Sequence, residues 1–214
     1  MSAGAGPKAA LRRHYRHWRR LQDSPAAEGS QDGVASRSPI RAAAAEASIL
    51  AAALRELPPL LAGDQRLGLY WPRAGEADLR PLAAAGCAIA LPAVEPALAG
   101  QAARMVYRPW SPGDPLAPDA CGIPAPLADR GPLPPAVLGL LLAPALAFDP
   151  ASGIRLGQGG GWYDRLRADP AWASVPALAV LPAACLHPGL PRDPWDVPFA
   201  GWLDEAGLQR LVAV

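Results

Sequence analysis

The chain has 214 residues, with 20 Lys and Arg against 19 Asp and Glu and a formal net charge of +1. Apolar residues make up 51% and charged ones 18%, and a globular chain of this length buries about 70% of its unfolded surface without a disulfide or a structural metal. The charge gives no global reason to expect nucleic acid or an anionic membrane as a partner. Cys87, Cys121 and Cys185 are widely spaced with no C-x-x-C pair, which reads as reduced thiols of a cytoplasmic protein. The histidines stand apart from them, so a zinc site is not expected, and no run reaches the roughly 18 apolar residues of a membrane span.

In chain order, residues 8–22 read as a helix with Leu11, Tyr15, Trp18 and Leu21 on one stripe and Lys8, Arg12, Arg16, Arg19 and Arg20 mostly off it. This basic stretch is a solvated face, a transit peptide or an arm for an anionic ligand, and Tyr15 and Trp18 argue against the transit peptide. Lys8 and Arg12, one turn apart, can jointly face phosphates. Residues 23–38 lack periodicity and read as a mobile loop. Ser38 then caps a helix that has Pro39 in its first turn and runs to Leu57.

Short apolar runs follow. Strands are expected at 67–71, at 88–91 ending before Pro92, at 104–107, at 138–143, at 177–181 and at 199–203, with a helix over 77–85. Leu138 to Ala143 is apolar throughout, the signature of a strand buried on both faces. Alternating strands and helices predict an α/β fold: three layers in a single domain, with a largely parallel central sheet flanked by helices.

The run Gly153-Ile154-Arg155-Leu156-Gly157-Gln158-Gly159-Gly160-Gly161-Trp162-Tyr163-Asp164-Arg165 is the densest in chemistry. Glycines let a loop pass through positive φ and turn successive N–H groups toward one point, as phosphate cradles do, and Arg155 and Arg165 supply charge. The run is neither a P-loop nor G-x-G-x-x-G, because the Gly-Lys-Ser/Thr ending is missing and the third glycine position falls on Trp162. It follows the 138–143 strand, where ligands of parallel sheets bind.

Together with the preceding Pro144 to Asp149, this run resembles the signature of the 5-formyltetrahydrofolate cyclo-ligases, also called methenyltetrahydrofolate synthetases. Lys8 and Arg12 are similar to that family's N-terminal basic pair, residues 70–76 to its strand and acidic turn, and residues 190–196 to its C-terminal motif. Residues 23–38 and 93–103 match poorly. The resemblance implies an ATP- and Mg²⁺-dependent ligase of one-carbon metabolism that acts on a reduced folate, with no nucleic acid or membrane partner, as a monomer or weak oligomer.

The resemblance also implies roles for particular residues. Lys8, Arg12, Arg155, Leu156, Gly157, Gln158, Gly159, Gly160, Gly161, Trp162 and Tyr163 would bind ATP, with Arg155 and Tyr163 catalytic. Trp71, Glu76 and Tyr163 would bind the folate, and Asp164 and Asp196 the magnesium ion. Four positions depart from the common pattern. Gln158 stands where an aromatic is frequent and Trp162 where tyrosine is usual, while Gly139 and Ala125 are expected to remove polar contacts near the site. Two other readings remain open: a phosphotransferase or ligase on another small anion, and a catalytically weakened homologue that serves as a binding protein.

Overall fold

A computed structural model describes residues 6–23, 39–98 and 100–211. Most of the loop expected at 23–38, and the cap at Ser38, fall outside them. The helices are α1 (Pro7–Asp23), α2 (Pro39–Glu56), α3 (Trp162–Ala168) and α4 (Pro170–Ala173). The strands are β1 (Arg66–Gly68), β2 (Ile89–Glu95), β3 (Arg104–Trp110), β4 (Leu116–Pro118), β5 (Pro124–Pro126), β6 (Leu138–Pro144), β7 (Ala147–Phe148), β8 (Arg155–Leu156), β9 (Ala177–Val180), β10 (Gly201–Asp204) and β11 (Gly207–Arg210).

Seven strands form one sheet in the order β11-β10-β9-β6-β1-β2-β3. The five from β10 to β2 run parallel, and β3 and β11 close the edges antiparallel. Alternate side chains of each inner strand enter different cores. Leu140 and Leu142 of β6 and Leu178 and Val180 of β9 meet Ile49 and Ala53 of α2 and Leu57 just after it. Leu141, Ala143, Ala177 and Ala179 face the other way, toward Tyr15 of α1, Leu166 of α3 and Trp172 of α4. Apolar residues at consecutive positions therefore serve a sheet covered on both sides, which gives the three layers.

Three expectations need correction. Strand β2 continues through Pro92, which pairs in register with Tyr107 of β3. By then β1 has ended, its last pairing being Gly68 with Ala90, so the missing proline N–H leaves no ladder bond unmade. The helix expected at 77–85 is only a 3₁₀ turn, Arg80–Ala83. Pro81 removes a donor there, and the Asp78 carboxylate captures the Arg80 N–H at 3.0 Å, so local bonding wins over a full helix. The last expected strand begins at Gly201 and folds back on β11 as a hairpin. Gly139 lies at the start of β6 against Leu61 and Gln65, at the strand end opposite the crevice described below. Ala125 is buried with Ala93 and Val106. Gly139 therefore takes no polar contact away from the site.

The β7–β8 hairpin carries the glycine run out of the sheet. Its turn is fastened by Asp149, which is 3% exposed and accepts hydrogen bonds from Ser152 Oγ at 2.7 Å and from the N–H groups of Ala151 at 2.9 Å and Gly189 at 3.1 Å. Burial works to raise this carboxyl's pKa, but those donors outweigh it and hold it below the usual range. A depressed acid stabilises the fold above its unfolded pKa, and that contribution is lost as the pH falls through the folded value. Asp149→Ala is expected to reduce stability at pH 7 by about 3 kcal/mol, with the gap to wild type narrowing on acidification. Urea melts at several pH values would check it.

Candidate active site

Strand order reverses at β1, whose successor β2 lies on one side while β6 lies on the other. Open parallel sheets form a crevice at such a switch point, beyond the carboxyl ends of the strands. Here that crevice is a cavity of about 570 Å³ bordered by Tyr70 and Trp71 after β1 and Pro144 at the end of β6. The glycine loop, α1, the turn at Glu76 and the segment Asp193 to Asp196 complete its wall.

The loop's shape follows from its glycines. Gly159 (φ +104°) and Gly161 (φ +63°) occupy left-handed backbone that other residues rarely adopt. At Gly157 a Cβ would come within 2.7 Å of the Arg155 guanidinium, which would have to shift to make room. That guanidinium tucks beneath the loop, donates to Pro144 O at 2.8 Å and stacks over the Tyr163 ring at 4.8 Å. Burial lowers the Arg155 pKa, with Asp164 the largest of the charges that oppose the shift. Tyr163, half-buried beside it, is pushed up to about 12 by desolvation and stays a neutral phenol at pH 7. Arg165 lies over the Trp162 ring at 4.3 Å and donates to Gly160 O. Leu156 departs from its expected place: its side chain is 1% exposed within the core and its carbonyl accepts from Leu146 N–H, so it does not line the cavity.

Helix α1 presents cations at intervals of about one turn, two of them to this loop. Arg12 Nε donates to Gly157 O at 3.1 Å. Arg16 donates from Nε to the Gln158 side-chain oxygen at 3.0 Å and from Nη2 to the Gln158 carbonyl at 2.5 Å. Lys8 bridges Asp193 at 2.7 Å and Asp196. Arg19, 5% exposed, reaches Ala145 O and pairs with Glu76 at 3.6 Å.

Glu76 is therefore a buried acid at the cavity wall, with its second oxygen accepting the Arg73 N–H at 3.1 Å. Burial raises its pKa, against the Arg73 N–H, Arg19, the Arg73 charge and the Gln158 amide, which all lower it. Trp71 forms an aromatic wall near it, backed by Arg80 at 4.0 Å from the ring centroid and by the edge-on Trp110 at 6.3 Å.

Asp164 and Asp196 line the same cavity. Asp196 is already engaged by Lys8 and by the Asp193 N–H at 2.6 Å, and Asp164 lies in the field of Arg155 and Arg167. No group of three His, Cys, Asp or Glu residues among the described residues is arranged to hold a metal. Two carboxylates in one cleft nonetheless fit Mg²⁺, which keeps much of its water and completes its shell with phosphate oxygens.

The structure thus gathers every proposed site residue except Leu156 around one cavity. Sequence reasoning missed Arg16, Arg19 and Trp195, which is 68% exposed at the rim. For the two arginines a signal was present, because Lys8, Arg12, Arg16 and Arg19 recur at helical spacing.

A glycine loop and a cationic helix meeting an aromatic, acidic pocket at the switch point of a parallel sheet define an α/β enzyme of small molecules. Residues 8–203 match the model of the 5-formyltetrahydrofolate cyclo-ligase family, and the chain belongs to that family. It is 34% identical over 130 residues to the 5-formyltetrahydrofolate cyclo-ligases of Escherichia coli K12 and O157:H7, covering 58% of this chain and 69% of each of those proteins. The solution structure of Aquifex aeolicus 5,10-methenyltetrahydrofolate synthetase superposes with a TM-score of 0.69 at 25% identity, covering 97% of this chain and 94% of that one. Among the described residues no helix is long and apolar enough to cross a membrane.

Proposed function

We propose that this protein uses ATP to convert 5-formyltetrahydrofolate into 5,10-methenyltetrahydrofolate, releasing ADP and phosphate. The observation that carries this reading is the convergence on one cavity of Lys8, Arg12, Arg155 and the glycine loop with Trp71, Glu76 and Tyr163. The γ-phosphoryl group passes to the formyl oxygen and ADP leaves; N10 attacks the formyl carbon and gives up its proton; the C–O bond breaks and the oxygen departs with inorganic phosphate. Such transfers ask the protein mainly for positioning and charge stabilisation. Loop N–H groups and Arg155 supply charge stabilisation at the phosphates, with Lys8 and Arg12 adding charge from α1. Glu76 accepts N–H donors of the pterin, Trp71 covers its flat face, and neutral Tyr163 donates a hydrogen bond.

Asp164 and Asp196 would hold Mg²⁺, which when bound neutralises phosphate charge. Asp164→Asn is expected to raise the magnesium concentration needed for half-maximal rate about tenfold. A magnesium titration that overlays the wild type would remove Asp164 from the metal site. The assignment as a whole is tested by the absorbance of the methenyl product formed from 5-formyltetrahydrofolate with and without ATP. Product that appears only with ATP is expected, and none under either condition would overturn the reading.

A further inference from the structure

Behind the cavity wall lie Phe199 and Arg167, 3% and 6% exposed and outside the cavity lining. The Arg167 guanidinium lies over the Phe199 ring at 4.4 Å from its centroid, and that of Arg155 lies over the same ring at 5.4 Å, so one aromatic serves two cations. Burial and then the Arg155 charge push Arg167 down to about 10, and it remains charged at pH 7. Two like charges on one ring repel. A backbone carbonyl holds each of them, Pro144 O for Arg155 at 2.8 Å and Val197 O for Arg167 at 3.0 Å. The buried Nε of each has no hydrogen-bond partner among the described residues, so ring faces rather than further acceptors supply the rest of the orientation. Phe199 is itself registered to the hairpin that carries Arg155. Its N–H donates to Gly153 O at 2.9 Å, and a Cβ on Gly153 would come 2.8 Å from its carbonyl oxygen, so the two backbones touch two residues before the arginine.

We propose that Phe199 is a positioning residue for Arg155: its ring, together with that of Tyr163, sets the direction in which the guanidinium meets the transferring phosphoryl group, against the repulsion of Arg167. The attraction is electrostatic, between the cation and the negative face of the ring, and it is strongest where water is excluded. Tyr163 contributes the second face, at 4.8 Å from the same guanidinium. The catalytic consequence rests on the reading of Arg155 as the residue that stabilises the phosphoryl group; the contact itself does not.

The test replaces Phe199 by phenylalanines carrying one, three and five ring fluorines, which keep the apolar shape while withdrawing charge from the ring face. The kcat for ATP-dependent formation of the methenyl product is expected to fall stepwise, by about tenfold at five fluorines, with the KM for ATP changing less than kcat and the thermal melt little moved. In an Arg155→Ala background the same series should leave kcat flat, because the ring no longer has that charge to hold. A second readout needs no turnover. In protein isotopically labelled at the arginine Nε, the Arg155 N–H signal, assigned through Arg155→Ala, should lose its ring-current displacement in Phe199→Leu. A kcat indifferent to fluorination, a fluorine dependence that persists without Arg155, or an Arg155 signal unmoved in Phe199→Leu would each overturn the proposal. Absence of methenyl product from the wild-type protein would instead overturn the folate reading, and the NMR signal would then decide the contact by itself.

Discussion

Arg155→Ala is expected to lower kcat by about 10³-fold while the protein remains folded. The guanidinium lies beneath the glycine loop, bonded to Pro144 O and stacked on Tyr163, and it faces the cavity from a half-buried position. A charge already fixed in a low-dielectric wall needs little reorganisation as the transferring phosphoryl group develops charge, so its removal acts on the transition state more than on binding. The structural loss is smaller. One carbonyl loses its donor, at about 1–3 kcal/mol, within a total stability of about 5–15 kcal/mol. Arg155→Lys should recover little, because an ammonium lacks the planar fork that serves Pro144 and a ligand together. Stopped-flow and steady-state kinetics beside a thermal melt separate the two effects. Turnover like wild type in Arg155→Ala would remove this residue from catalysis.

Arg19→Ala is expected to cost about 3–5 kcal/mol of stability, since it leaves an uncompensated buried charge. Arg19 is 5% exposed, its guanidinium pairs with Glu76 and donates to Ala145 O, and its stem packs on Gly75. Without it Glu76 keeps the Arg73 N–H but loses its nearest opposite charge, and its pKa, already raised by burial, moves further up. An acid raised on folding stabilises the protein below its unfolded pKa, and that contribution is lost as pH rises through the folded value. The deficit of Arg19→Ala should therefore shrink under mildly acidic conditions, where Glu76 is protonated. Arg19→Ala combined with Glu76→Gln should restore part of the stability at pH 7, because the orphaned charge is gone. A double variant no more stable than Arg19→Ala would refute this account.

Much of the fold was legible because its causes are local. The unbroken apolar run of β6 can satisfy only a strand covered on both faces, and the glycine run can form only a loop. Pro92 was misread because its cost depends on where β1 stops, a fact about a neighbouring strand. The turn at 80–83 was misread because Pro81 and Asp78 act together against a helix that composition alone favours. Gly139 was misplaced for a similar reason: it belongs to a site-bearing strand, but it lies at that strand's far end.

The sequence by itself determined the chemistry on offer: five glycines that permit left-handed turns, a helix with cations at successive turns, and acids and aromatics in recognisable motifs. Tertiary structure alone decided which of these meet. Parallel crossovers bring residues from opposite ends of the chain to one crevice, so that Lys8 bridges to Asp196 and Arg16 closes on Gln158. Such pairings rest on the strand order of the sheet, a long-range property set by burial of apolar faces that spacing along the chain does not encode.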